Sequence, residues 1–79
     1  MIQPDVDLIR EARKIQTGAN VHTIATRIAY YLNEIEIYNS MIEKGEDEIN
    51  SYGLSKVAYT LDNIQKYENQ LRKLVYKRF

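Results

Sequence analysis

Residues 20–42 read NVHTIATRIAYYLNEIEIYNSMI, and the spacing of their apolar side chains decides the fold. Val21, Ile24, Ile28, Tyr31, Ile35, Tyr38 and Ile42 follow one another at intervals alternating between three and four residues. That period of about 3.5 lays one continuous stripe along an α-helix, the seam of a helical bundle or coiled coil. Asn20 is an N-cap residue type ahead of the stripe, and Gly45 supplies a left-handed C-cap behind it. Ala25 and Leu32 widen the stripe on one side. Tyr30, Ile37 and Met41 lie off it, so the centre of this helix is apolar over more of its circumference than one neighbour needs. Two neighbours are therefore expected.

The flanking segments supply one of them directly. Upstream, Pro4 stands where a missing N–H costs nothing, Asp5 and Asp7 occupy a first turn, and Arg10, Arg13 and Lys14 fill the later turns before Gly18, the charge order that a helix dipole favours. A first helix from about Asp5 to Gln16 follows, with Leu8, Ala12 and Ile15 as a narrow apolar stripe beside Ile9. At about twelve residues it is marginal alone and must lie against something. Downstream, the acids Glu46, Asp47 and Glu48 open a last segment, interrupted by Gly53, where Ser55 is placed to cap a fresh helix or Gly53 to let two backbones approach. Val57, Leu61, Ile64, Leu71 and Val75 then repeat the three-four pattern to about Lys77, with Ala58, Thr60, Tyr67 and Leu74 beside the stripe. Glu68 takes the seam position between Ile64 and Leu71, at a wet edge or paired. The two long helices, about 24 residues and roughly 36 Å each, joined by a short Gly-containing connection, predict an antiparallel hairpin.

The expected fold is thus all-α: a single helical domain over residues 1–79, a long antiparallel helical hairpin plus a short N-terminal helix making a three-helix bundle. A chain of 79 residues buries only about 60% of the surface its unfolded form exposes. With no Cys to form a disulfide, a second copy is the expected staple, and Tyr30, Ile37 and Met41 are the residues assigned to self-association. The Met1–Asp7 start lacks the basic residues of a signal peptide. No apolar run approaches the roughly 18 residues of a membrane span, so a soluble, cytoplasmic chain with no membrane partner is expected.

Little in the sequence points to catalysis. His22 is the only imidazole, beside Thr23 and Thr26 at a helix start, where a solvent-facing role outweighs nucleophile activation. Glu34, Glu36 and Glu43 have no His three residues on, so the Glu-x-x-His pattern of a di-metal bundle is missing. Glu46–Glu48 lacks the alternating oxygen ligands of a calcium loop. No cofactor, metal or small-molecule substrate is expected, and the chain is read as a non-enzyme. The segment Val21–Ala29 resembles the opening of a helix-turn-helix, but that motif needs a turn and a second short helix, whereas the apolar period here runs unbroken through Tyr38.

Aromatic and charged residues remain as the carriers of function. Seven Tyr stand against one Phe and no Trp. Tyr31 and Tyr38 fall on the seam, where the ring packs and the hydroxyl reaches the edge. Tyr52, Tyr59 and Tyr76 lie away from their stripe, as interface aromatics do. Eleven Lys plus Arg balance eleven Asp plus Glu, yet the charges are segregated. Residues 34–48 hold six acids against Lys44, and residues 63–79 hold Lys66, Arg72, Lys73, Lys77 and Arg78 against Glu68. An antiparallel hairpin gathers the bases at one end and the acids at the loop end. The function expected is a non-enzymatic helical interaction module, a small regulator, adaptor or assembly subunit, with Tyr59 and Tyr76 assigned to a protein partner. Arg72, Lys73, Lys77 and Arg78 are assigned to an acidic partner. The alternative is a nucleic-acid-binding protein that uses the same basic pole on phosphates.

Overall fold

The structure is a computed structural model that describes residues 1–45 and 55–76. Its elements are α1 (Val6–Lys14), a 3-10 turn (Gly18–Asn20), α2 (Val21–Glu43) and α3 (Lys56–Val75). Three helices and the packing of α2 along α3 match the all-α hairpin expected. Among the described residues, no helix is long and apolar enough to cross a membrane. Glu46, Asp47, Glu48, Tyr52 and Gly53 lie outside the described residues, as do Lys77 and Arg78.

Each helix starts and stops for a local reason. Asp5 is the N-cap of α1, its Oδ1 accepting from the Leu8 N–H at 3.1 Å. Ser55 caps α3, its Oγ accepting from Val57 N–H at 3.1 Å and Ala58 N–H at 3.4 Å, which satisfies donors that the first turn otherwise leaves orphaned. Asn20 does not cap α2 with its side chain. Its Oδ1 turns back to accept from Thr17 N–H at 2.8 Å and closes the 3-10 turn instead. Gly45 ends α2 with φ +76°, in the left-handed region that favours glycine.

α2 and α3 run antiparallel. Tyr30 meets Tyr67, Tyr31 meets Glu68, and Arg27 shares a cleft with Lys73, so rising numbers on one helix face falling numbers on the other. The core is Leu8 and Ala12 of α1, Ile24, Ile28, Tyr31 and Ile35 of α2, and Ile64 and Leu71 of α3, with Ile9, Leu32, Tyr38, Leu74 and Val75 packed around it. Burying each large aliphatic side chain contributes about 1.5–3 kcal/mol.

The expected seam is right at its centre and wrong at its ends. Ile24 to Ile35 are buried, while Val21 at the start of α2 is exposed. On α3 the buried positions are Thr60, Ile64 and Leu71, with Val57 and Leu61 half-exposed. On α3 the cause is the reach of α1. Its N-cap Asp5 is level with Tyr31 and Arg72, so the helix covers only the half of the hairpin where α2 begins and α3 ends. Over the other half, residues 1–5 continue along α2 as an extended strap. There the Ile2 N–H donates to Asn39 Oδ1 at 2.7 Å and Asn39 Nδ2 donates to the Ile2 carbonyl at 2.9 Å. Thr60, buried although it lies beside the expected stripe, satisfies its hydroxyl by donating to the Lys56 carbonyl at 2.8 Å.

Candidate interaction surface

Glu68, the acid at a seam position, is paired. The Tyr31 hydroxyl donates to Glu68 Oε2 at 2.9 Å and accepts from the Asp5 N–H at 2.9 Å. Arg72 donates to Glu68 Oε1 through Nη2 at 2.9 Å and Nε at 3.3 Å, and its Nη2 also reaches Asp5 Oδ2 at 3.0 Å. A closed ring of four residues thus ties the start of α1 to the middle of α2 and the last turns of α3. Burial pushes the Tyr31 phenol up to about 12, and the Glu68 carboxylate adds to that, while donation from the Asp5 N–H opposes it. The hydrogen bond to Glu68 raises the already high pKa of Arg72 further.

This ring changes the basic pole. Arg72 was assigned to an outside partner, yet its guanidinium is engaged by two carboxylates of its own chain. Arg10 pairs with Asp7 at 3.0 Å and Lys14 with Glu11 at 3.1 Å on the exposed face of α1. Among the described residues, the bases at this end with no acid partner include Arg13, Arg27, Lys66 and Lys73.

The self-association set is divided as well. Met41 is only 4% exposed, against the open positions of the other two. Tyr30 and Ile37 are 48% and 38% exposed. Seven residues apart, they stand one above the other on α2, on the flank turned away from α1. Tyr30 packs on Tyr67 with ring centroids 5.5 Å apart and planes tilted by 37°, an offset contact aromatic pairs favour. Lys66 Nζ lies 5.8 Å from the Tyr67 ring centre.

Tyr59, 64% exposed, falls on the same side of α3, because Tyr59, Lys66 and Lys73 repeat every seven residues and Lys73 shares a cleft with α2. The structure therefore brings Tyr30, Ile37 and Tyr59 to one open face of the hairpin. Tyr76, although exposed, sits at the end of α3 about a third of a turn round from that face. Two clefts indent the face. One, of about 400 Å³, is lined by Thr23, Arg27, Gln70, Lys73 and Leu74. The other, of about 390 Å³, lies towards the end of α2 between Ile37, Met41, Lys44 and Lys56.

His22 is exposed in the first turn of α2. Among the described residues, no three His, Asp or Glu gather closely enough to hold a metal ion. The chain matches no family model, no curated protein and no solved structure.

Proposed function

We propose that this protein is a non-enzymatic helical interaction module of the cytoplasm that docks another protein chain on the open face of the α2/α3 hairpin. One observation carries the proposal: Tyr30, Ile37 and Tyr59 are exposed together on the face that α1 leaves bare. Large exposed apolar and aromatic side chains scattered singly need no explanation, but a row of them along one face is how protein interfaces are built. The homodimer expected from the sequence, through Tyr30, Ile37 and Met41, rests on the same face. Engagement of Arg72 by Asp5 and Glu68 weighs against phosphate binding by the basic pole.

The test is the size of the tagged chain in an extract of its host. Wild type should run as a larger complex, which Ile37→Glu and Tyr59→Glu release and Arg13→Glu leaves intact. Sedimentation of the purified chain then separates a second copy from another protein. A wild-type chain running at monomer size in the extract, or a complex that tolerates both open-face variants, would overturn the proposal.

A further inference from the structure

The two halves of the open face differ in charge. Residues 21–33 contain no acid, and residues 63–76 contain only Glu68, which is turned to Tyr31 and Arg72. What remains on this half of the face is Arg27, Lys66 and Lys73, none paired with an acid among the described residues. Arg27 comes from α2 and Lys73 from α3, and both border the cleft of about 400 Å³ that Leu74 and Thr23 help to line. That volume holds one large side chain.

We propose that this half of the open face is a docking site for an acidic amphipathic segment of a partner protein, an apolar side chain entering the cleft while flanking carboxylates pair with Arg27 and Lys73. The inference rests on the docking function proposed above and names the chemistry of its partner. Apolar lining with cations at the rim suits a peptide better than a nucleic acid, whose phosphates need cations but no apolar cleft. A second copy of this chain fits less well. An antiparallel pairing centred between Tyr30 and Ile37 would carry Arg27 and Lys73 towards the other cleft, where Glu36 stands with Lys44 and Lys56, so the one carboxylate offered there is outnumbered by cations.

The test uses the full chain and a displayed library of random 15-residue peptides. Selected binders should be enriched in Asp and Glu flanking Leu, Ile or Phe, and should weaken with rising salt. Binding should fall at least about tenfold in the Arg27→Glu/Lys73→Glu double variant and change less than about twofold in Arg13→Glu. The milder Arg27→Gln/Lys73→Gln pair repeats the measurement should the reversal disturb folding. Binders that require Ile37 but carry no acidic enrichment would overturn this inference and leave the docking function standing. Finding no binder sensitive to any open-face substitution would overturn both. Displacement of the peptides by a single-stranded oligonucleotide, or self-association of the chain that the double reversal abolishes, would replace the acidic segment with a nucleic acid or a second copy.

Discussion

Replacing Tyr31 by Phe removes one oxygen from the ring that joins the three helices. That oxygen donates to a carboxylate, Glu68, and satisfies the Asp5 N–H. Losing a charge-assisted hydrogen bond and orphaning a partly buried N–H together cost about 2–3 kcal/mol. A chain of 79 residues has a stability of about 4–12 kcal/mol in all, so the loss is a large share of it. With a urea dependence near 1 kcal/mol per molar for so small a protein, the midpoint followed by circular dichroism should fall by about 2–3 M. High pH supplies an internal control. Burial pushes the native phenol up to about 12, from the 10.0 of a free tyrosine. A raised native pKa contributes stability that is complete below the unfolded pKa and is lost as pH rises through the native one. At pH 11 about 1 kcal/mol of the wild-type advantage has gone, and the gap between wild type and Tyr31→Phe should narrow by that amount. A Tyr31→Phe protein within about 0.5 kcal/mol of wild type at pH 7 would refute the reasoning, as would a gap that stays constant from pH 8 to pH 11.

Other substitutions probe other joints. Asn39→Ala removes both hydrogen bonds to Ile2; it should cost about 1–2 kcal/mol and abolish hydrogen-exchange protection of the Ile2 amide. Ser55→Ala takes away the α3 cap and should lower stability by about 1 kcal/mol in urea titration, with Ser55→Asp restoring it. Arg72→Ala breaks contacts to Asp5 and Glu68 that are partly open to water, so about 1 kcal/mol of stability should go. The host complex should survive Arg72→Ala, because Arg72 faces α1 and not the open face.

The core was legible because three-four spacing is a property of sequence alone: Ile24, Ile28, Tyr31 and Ile35 are buried where the period puts them. Where the period misled, a tertiary fact intervened. Leu61 is half-exposed because α1 stops short of it. Met41 is covered although it lies off the seam. The pairing of Glu68 was half legible, as the one acid on the α3 stripe opposite a seam phenol. A signal for Arg72 stands four residues on, at the spacing of a helical ion pair, which the segregation of bases along the terminal run obscures. Asn39 carried no signal, since its amide acts on a strap that no periodicity describes. Tyr30, Ile37 and Tyr59 were each marked individually, but only the antiparallel register of α2 and α3 gathers them onto one face.

The central claim is that the face bearing those three residues is occupied by another protein chain. A photo-crosslinking amino acid placed at position 37 or 59, and at position 13 on α1 as the reference, tests it in living host cells. Discrete adducts from positions 37 and 59, absent from position 13, are the expected result. Equal labelling at all three positions, or no adduct from either open-face position, would contradict it.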